Sequence, residues 1–368
     1  MKLLVVSNMY PDKSAPSYGV FVKNFCQQLQ TLGIDYDLSV MHKSNSKIGK
    51  VLGYVAFYFG TALKMLLREY EIVYVHYASH SSPPVLWVNK LKKSRLFVNV
   101  HGSDVVPENA KQEKMQKYTR RILEISERVI VPSIYFKDYV REKYQLHQEK
   151  IMVYPSAGVD PTVFHRIKED EKRRMIRSKW GLPDDKPVFG MIGRVSAGKG
   201  WDTFLKAVAR YLGQYQNAHF LFVGNGPEYE EAVKLIHSAD YGEGLTVIGQ
   251  LVAQQTLMEL YNAVDYLVFP TQREGESLGL VALEAMACGT PVIASAYAAP
   301  NYYVEDGMNG FKFTMGDSEE LCRKMQVAVE TFCTVEYQKM CQQAYHTASG
   351  FFFDAIAMDL KEILESKS

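Results

Sequence analysis

Short apolar runs alternate with longer helical stretches along this 368-residue chain, and that alternation restricts the folds open to it. It is typical of a parallel, doubly wound α/β sheet, in which each buried strand is followed by a covering helix. The runs of the first half lie at residues 3–6, 37–40, 72–75, 96–100, 129–131 and 151–154. Those of the second half lie at residues 188–192, 219–223, 245–248, 266–269 and 291–294.

The two series predict two Rossmann-like domains, and the chain is long enough for each to bury its own core. A charge-rich segment at residues 162–185 separates them. Domain boundaries fall in such segments, so we expect the crossover near residues 165–187. The predicted domains are residues 1–170 and residues 186–350.

Composition excludes some partners and compartments. The 42 Lys and Arg residues nearly balance the 41 Asp and Glu residues, and a net charge of +1 argues against nucleic acid as the main partner. Five cysteines without C-x-x-C spacing favour neither a disulfide framework nor a zinc site. The apolar core of residues 1–7 is too short for a signal peptide. We therefore expect a cytoplasmic protein.

Residues 51–67 are apolar and aromatic-rich, with Lys and Arg on either side. The run is shorter than the roughly 20 residues of a membrane-spanning helix. A helix buried against the sheet is the favoured interpretation, and an interfacial amphipathic helix with peripheral membrane contact through the first domain is the alternative.

The loop after the run at residues 188–192 carries two cations, Arg194 and Lys199, beside Gly193. The carboxyl ends of strands are where open α/β sheets bind ligands, so both cations are candidates to contact a diphosphate. The spacing also resembles a P-loop. However, Gly200 occupies the position where a P-loop needs a hydroxyl for magnesium, which disfavours an ATPase. A purely structural basic turn remains an alternative.

Two glutamates, Glu276 and Glu284, flank a predicted helix start with seven residues between them. Gly279 would let an anion approach the backbone N–H groups of Leu280 and Val281 closely. Glu276 could accept hydrogen bonds from a sugar, and Glu284 from a ribose. The spacing therefore predicts a nucleotide-sugar site, against the alternative of two structural helix acids.

Weaker candidates follow other strands. Gly224 and Gly249 lie in turns that could bring backbone close to a nucleotide, although such turns are often only structural. In the first domain, His101 follows a strand, where Asp104 could orient its ring, and Gly19 could present its N–H to an anion.

No metal site is predicted. Metal-dependent transferases need a D-x-D motif after an apolar strand, and the one D-x-D here, at Asp35 and Asp37, precedes its strand. The favoured site is metal-free and uses Arg194, Lys199 and a helix dipole.

Together these residues make the chain resemble the family 4 retaining glycosyltransferases, also called glycosyl transferases group 1. The resemblance covers nearly the whole length and is densest at residues 193–311. There Gly-Arg-x4-Lys-Gly, Gly-Asn-Gly-Pro, the E-x7-E motif and Asp-Gly-Met-Asn-Gly-Phe occur in the family's order.

The resemblance implies a GT-B fold, with two Rossmann-like domains that face each other across a cleft. By motif, Arg194 and Lys199 would contact the diphosphate, Glu276 the donor sugar and Glu284 the ribose. His101 would lie near the anomeric carbon. The second domain would bind the nucleotide sugar and the first the acceptor, while a C-terminal helix at residues 352–368 would return to the first domain.

Two departures weaken parts of this expectation. Many relatives have two glycines where this chain has Tyr18 and Gly19, which affects the acceptor side. Many have Gly-x-Pro-Glu where residues 298–301 read Ala-Ala-Pro-Asn, so a contact from that glutamate is unsupported.

The expected function is transfer of a hexose-type sugar, with retention of configuration, to a lipid-linked or polysaccharide acceptor in cell-surface polysaccharide synthesis. The expected donor is a nucleotide-diphosphate sugar, with a UDP-sugar favoured over a GDP-sugar, and no permanent cofactor is expected. The alternatives are a sugar-nucleotide epimerase of the same architecture and a non-catalytic sugar-nucleotide-binding protein.

Overall fold

The structure, a computed structural model, describes residues 1–15, 18–44, 46–155, 158–250 and 252–366. The chain divides into two compact units. The first consists of Met1–Gly158 with Phe353–Ser368, and the second of Val159–Phe352. The charged segment at residues 165–187 belongs to the second unit in this division.

In its described residues the first unit is built on one parallel six-stranded sheet. Its strands are β1 (Lys2–Tyr10), β2 (Asp35–His42), β3 (Ile72–His76), β4 (Arg95–Asn99), β5 (Arg128–Val131) and β6 (Ile151–Val153). Their order across the sheet is β2-β1-β3-β4-β5-β6. The helices are α1 (Val20–Thr31), α2 (Lys47–Leu67), α3 (Ser82–Val88), α4 (Ala110–Ile125) and α5 (Ile134–Tyr144), with a 3-10 turn at Gln148–Lys150.

Alternate side chains of these strands enter two cores, one on each face of the sheet, as the two-residue period of a strand requires. Leu4 and Val6 pack on the face of α2. Leu3 and Val5 pack on the opposite face together with the last helix. That helix, α14 (Phe353–Glu365), contributes four buried side chains to this second core: Ile356, Leu360, Ile363 and Leu364. Residues 367–368 of the predicted C-terminal helix lie outside the described residues.

The second unit, in its described residues, also has a parallel six-stranded sheet. Its strands are β7 (Val188–Ile192), β8 (His219–Val223), β9 (Leu245–Ile248), β10 (Tyr266–Phe269), β11 (Val292–Ser295) and β12 (Gly310–Phe313). Its helices are α6 (Asp170–Lys179), α7 (Trp201–Leu212), α8 (Tyr229–His237), α9 (Gln254–Ala263), α10 (Leu280–Ala287), α11 (Pro300–Tyr303), α12 (Ser318–Thr331) and α13 (Val335–Ser349). Strand β12 was not among the predicted strands.

The strand order of the second sheet, β12-β11-β10-β7-β8-β9, creates a topological switch point. From β7 the chain winds outward through β8 and β9, and it then returns to start again at β10 and wind the other way. Strands β7 and β10 are neighbours from which the chain winds in opposite directions, and this arrangement places a crevice at the carboxyl edge. Open α/β sheets bind their ligands at this position.

A buried ion network fixes the opposite edge of the same two strands. Asp265, which directly precedes β10, accepts hydrogen bonds from the backbone N–H of Val188 at 2.7 Å and from Arg177 at 2.5 Å. Arg173 bonds the other carboxylate oxygen at 2.6 Å. Because two guanidinium groups and an amide surround it, the Asp265 charge is compensated in a buried position. Helix α6 is thereby tied to the start of β7 and β10.

The favoured interpretation of residues 51–67, a helix buried against the sheet, holds for one side of the helix only. Phe57, Thr61, Ala62 and Met65 of α2 are buried, whereas most of its other apolar side chains are exposed. The D-x-D pair does not precede its strand as predicted, because Asp35 and Asp37 both lie within β2, where Asp37 accepts hydrogen bonds from Tyr70 and Arg68.

Candidate active site

An ion pair joins the loops that follow β7 and β10 at the switch point. Lys199 Nζ lies 2.6 Å from Glu276 Oε2, and Thr271 donates its hydroxyl to the same oxygen at 3.2 Å. The Lys199 side chain is 21% exposed and that of Glu276 is 11% exposed, so both charges are largely withdrawn from water but still reachable by a ligand. Within the described residues, Glu276 Oε1 has no hydrogen-bond partner and remains free to accept one.

Glycine is required where these two loops cross. Gly200 has a φ of +72°, and a Cβ on it would lie 1.8 Å from the carbonyl oxygen of Pro270. The backbones are also joined directly, since the N–H of Gln272 donates to the carbonyl of Gly198 at 2.7 Å. The Gly198-Lys199-Gly200 sequence therefore lets Lys199 approach the β10 loop closely enough to reach Glu276.

Helix α10 begins directly after this loop, at Gly279. Gly279 has a φ of +75°, and a Cβ on it would clash with the hydroxyl of Tyr303 at 2.8 Å. Tyr303 donates to the carbonyl of Leu278 at 3.1 Å and so holds the helix start in place. No side chain caps this N-terminus, and within the described residues no acceptor engages the N–H groups of Leu280 or Val281. The helix start can therefore bind an anion.

Glu284 lies one turn into α10. Its Oε2 accepts a hydrogen bond from the hydroxyl of Tyr261 at 3.0 Å. Burial raises the pKa of Glu284 from its ordinary value to about 7, and the Tyr261 hydrogen bond offsets part of that increase. At neutral pH the side chain is thus divided between its two protonation states, which is characteristic of functional sites.

The predicted glycines Gly193, Gly224 and Gly249 lie together at the carboxyl ends of β7, β8 and β9. Gly224 approaches Gly193 so closely that a Cβ on it would lie 1.9 Å from the Gly193 carbonyl oxygen. Asn225 donates its side-chain amide to the carbonyl of Gly249 at 2.8 Å. Tight packing explains why residues 224 and 249 are glycines. At Gly193 there is no such restriction, because a Cβ there would meet nothing within 4 Å. Arg194 is exposed and has no ion-pair partner among the described residues.

In the first unit, His101 is paired with a second histidine that the sequence analysis missed. His76, the last residue of β3, places its Nδ1 3.0 Å from His101 Nε2. Phe21 of α1 packs on the His101 ring, with ring centroids 4.2 Å apart. Because Nε2 is engaged, Nδ1 is the ring nitrogen that His101 has left for a ligand.

Asp104 does not orient the His101 ring, contrary to the prediction. Its Oδ1 accepts the backbone N–H groups of His101 and Gly102, both at 2.9 Å, and its Oδ2 accepts that of Ala78 at 2.9 Å. Asp104 therefore shapes the turn that carries His101. Gly19, the N-cap of α1, has a φ of +74°, and a Cβ on it would lie 2.6 Å from the Met9 backbone.

Both histidines are expected to be neutral from about pH 5 to about pH 8 in the free protein. Burial lowers the pKa of His101 to about 3, and burial together with the neighbouring His101 lowers the pKa of His76 well below its ordinary value. Histidine-detected 15N NMR, with signals assigned through His76→Gln and His101→Gln, should show no titration of either ring in this range. A protonation step of His101 within it would contradict the assignment.

Other contributors to the site were also missed: Thr271, Tyr261 and Tyr303. Tyr261 and Tyr303 act through contacts more than 20 residues away in sequence, so no local motif marks them, and Thr271 lies only five residues before its partner Glu276. Among the described residues, no group of three or more His, Cys, Asp and Glu side chains comes together as a metal site would require.

The sequence matches the models of two known protein families. The model for Glycosyl transferases group 1 matches residues 172–346, and the model for Glycosyltransferase Family 4 matches residues 19–163. The chain belongs to glycosyltransferase family 4. The residues at the switch point, including Lys199, Glu276 and Glu284, fall within the first of these matches.

Curated relatives in this family align over part of their length. A D-inositol 3-phosphate glycosyltransferase of Stackebrandtia nassauensis is 35% identical over 45% of this chain. The lipopolysaccharide core biosynthesis glycosyltransferase LpsE of Rhizobium meliloti is 31% identical over 52% of this chain. An alpha-monoglucosyldiacylglycerol synthase of Streptococcus pneumoniae is 26% identical over 68% of this chain. These matches span 38%, 53% and 58% of the relatives' own lengths.

Solved structures share the fold over nearly the full length of this chain. Sucrose-phosphate synthase from Thermosynechococcus elongatus aligns with a TM-score of 0.79 at 20% identity, covering 99% of this chain and 98% of its own. Anabaena HepE, solved in complex with UDP and glucose, aligns with a TM-score of 0.76 at 18% identity, covering 100% and 99%. These likenesses show that the predicted GT-B fold is right.

Proposed function

We propose that this family 4 glycosyltransferase moves a hexose-type sugar from a nucleotide-diphosphate sugar to a lipid-linked or polysaccharide acceptor, with retention of configuration. The observation that carries the proposal is the Lys199–Glu276 pair at the switch point of the second sheet. A cation for the diphosphate and an acid for the sugar stand side by side there, in front of the free N-terminus of α10.

Each part of the donor has a matching group in this arrangement. The diphosphate would contact Lys199, Arg194 and the N–H groups of Leu280 and Val281. The free Oε1 of Glu276 would accept a hydroxyl of the sugar, and Glu284 would accept the ribose hydroxyls. The exposed backbone around Gly193, Gly224 and Gly249 would contact the rest of the nucleotide. This assignment needs no metal ion to neutralise the diphosphate.

The proposed chemistry is a same-face substitution at the anomeric carbon. The acceptor oxygen forms a bond to that carbon while the bond to the diphosphate oxygen breaks, and the acceptor proton passes to the departing diphosphate. Lys199 and Arg194 would stabilise the negative charge that grows on the leaving group. Contacts that strengthen in the transition state raise the rate of the chemical step, whereas contacts that bind substrate and transition state equally do not. In the first unit, His101 has no hydrogen-bond partner for Nδ1 among the described residues, and we propose that this nitrogen contacts a substrate group there.

A UDP-sugar is the proposed donor in preference to a GDP-sugar, because HepE of the same fold was solved with UDP and glucose. The names of relatives that act in lipopolysaccharide and glycolipid synthesis support a glycan or lipid-linked acceptor in cell-surface polysaccharide synthesis. We further propose a cytoplasmic location, with the first unit peripheral at the inner face of the membrane.

Calorimetric titration with UDP, GDP and ADP in the presence of EDTA tests the donor site. We expect UDP to bind without metal and the Glu284→Ala variant to bind it at least about tenfold more weakly, since one charge-assisted hydrogen-bond acceptor is lost. NMR of the product formed from the corresponding UDP-sugars then reports anomeric configuration. Binding without turnover would favour a non-catalytic protein, and absence of nucleotide binding would contradict the proposed site.

A further inference from the structure

Helix α2 carries an apolar stripe that no part of the described chain covers. Eight apolar side chains recur at helical spacing along it, each between 38% and 76% exposed. They are Ile48, Val51, Leu52, Val55, Phe59, Leu63, Leu66 and Leu67. A contiguous apolar surface of this kind on a folded domain marks an interaction site.

The helix packs on the domain along one side, and its length and composition alone would suffice for a membrane span. Its inner side is held by polar contacts as well as by packing. Thr61 and Ser39 share a hydrogen bond of 2.8 Å, and Lys64 donates to the carbonyl of Leu38. Tyr58 donates to the carbonyl of His80 at 3.1 Å. Only the outer side is therefore available to a partner.

The surroundings of the stripe are cationic. No Asp or Glu occurs between Asp37 and Glu69. Lys43, Lys47 and Lys50 are exposed near the N-terminus of α2, and in the described part of the chain no salt bridge engages them. A partner of complementary charge is therefore anionic.

A basic cavity lies between α3 and α4. It has a volume of about 470 Å³ and is lined by Trp87, Tyr118, Lys90, Lys93, Lys117 and Arg121 among others, with no acidic side chain in its lining. Helix α3 packs against both α2 and α4. Trp87 is 56% exposed, and Leu91, just after α3, is 70% exposed, so apolar and cationic groups occur together here too.

We propose that the α2 stripe and the α3–α4 cavity form one docking surface for a bilayer that contains anionic lipids. The apolar side chains would enter the interfacial region, as in helices that lie in the plane of a membrane. The lysines would contact lipid phosphates, and the cavity would hold one anionic headgroup. Trp87 suits such a surface because tryptophan is enriched at membrane interfaces. The inference develops the peripheral position proposed above and names its lipid class.

A second copy of this chain fits the surface less well. A two-fold dimer with parallel α2 helices would bring Lys47 and Lys50 of one copy close to their equivalents in the other. Like charges would then face each other, and no acid on the helix offsets them.

Vesicle flotation of the full chain tests the proposal, with phosphatidylcholine alone and with roughly 30% phosphatidylglycerol added. Wild type should bind the anionic vesicles at least about tenfold more tightly. A stripe variant, Val55→Asp with Phe59→Asp, should lower that binding at least about 30-fold. A charge variant, Lys43→Glu with Lys47→Glu and Lys50→Glu, should remove the preference for anionic lipid. The control is Met175→Asp with Val335→Asp, at side chains 66% and 59% exposed in the second unit, and should bind like wild type.

Equal binding of wild type to both vesicles, or equal binding by the stripe variant and the control, would overturn the proposal. If the stripe variant instead converts a sedimenting dimer to a monomer, the surface is an interface between copies. All these substitutions lie outside the donor site, so UDP calorimetry on the same samples is expected to match wild type. Loss of UDP binding everywhere would count against the proposed function and leave the lipid result standing.

Discussion

Alanine at Lys199 or at Glu276 is expected to lower kcat/KM by at least about 100-fold, which corresponds to about 2.7 kcal/mol of transition-state stabilisation. The two side chains lie 2.6 Å apart in a largely water-excluded loop crossing, where a fixed charge is worth more than on an open surface. Removing Lys199 takes away a positive charge that would stabilise the leaving diphosphate. Removing Glu276 takes away the acceptor for the sugar hydroxyl. Steady-state kinetics with the UDP-sugar identified by binding would measure both.

A matched control separates this effect from loss of an ion pair as such. Lys206 and Asp202 on α7 form an exposed pair at 2.9 Å, and exposed pairs contribute little. Lys206→Ala should therefore leave kcat/KM within about twofold of wild type. If Lys199→Ala behaves like this control while the fold is intact, the proposed site is wrong.

The double variant distinguishes a catalytic pair from a purely structural one. If Lys199 and Glu276 only support each other, the double variant should be no worse than either single variant. If they contact different parts of the donor, their losses should be largely additive, apart from the coupling expected of neighbours. We expect the second result. Lys199→Arg and Glu276→Gln should each retain more activity than the alanine variants, because they keep a donor or an acceptor in place.

Much of the fold was predictable because parallel strands covered on both faces are continuous apolar runs. Eleven of the strands, β1–β11, overlap the predicted runs within a few residues. Strand β12, Gly310–Phe313, escaped because it is short, begins at glycine and contains Lys312. It lies at the edge of its sheet, where only one neighbour, β11, constrains its sequence.

Strand order could not be predicted from the runs, and the site depends on it. Lys199 and Glu276 are 77 residues apart in sequence, and they meet only because β7 and β10 are neighbours. Local motifs marked both residues as candidates without showing that they pair. His76 escaped for a related reason: it ends a fully buried strand, where a residue normally serves packing. Its partner, His101, lies two residues after the end of β4, the next strand of the sheet.

Glu284→Gln is expected to stabilise the second unit at alkaline pH and at the same time to weaken donor binding. The pKa of Glu284 is raised to about 7, so between the ordinary value and about 7 the folded state holds a proton that the unfolded state has lost. Wild-type stability from this group therefore falls as pH rises through that window. Glutamine is neutral throughout and avoids the loss. The gain at about pH 8 should reach at most about 3 kcal/mol, with little gain at about pH 4.5.

Chemical unfolding at both pH values measures the first effect. Glu330→Gln, at an exposed position of α12, serves as the control and should leave the pH dependence of the wild type unchanged. Equal stability of Glu284→Gln and wild type at about pH 8 would contradict a half-buried, partly protonated Glu284.

The donor supplies the second effect, because ribose hydroxyls that donate to Glu284 would favour its charged form. Binding of UDP near pH 7 should then release a fraction of a proton, detectable by calorimetry in buffers of different ionisation enthalpy. The release should be absent in Glu284→Gln, and the affinity of that variant should fall at least about tenfold. A stabilised variant that binds UDP as tightly as wild type would show that Glu284 does not contact the nucleotide. Higher stability together with lower affinity would show that the half-buried Glu284 carboxylate lowers stability and is kept for ligand binding.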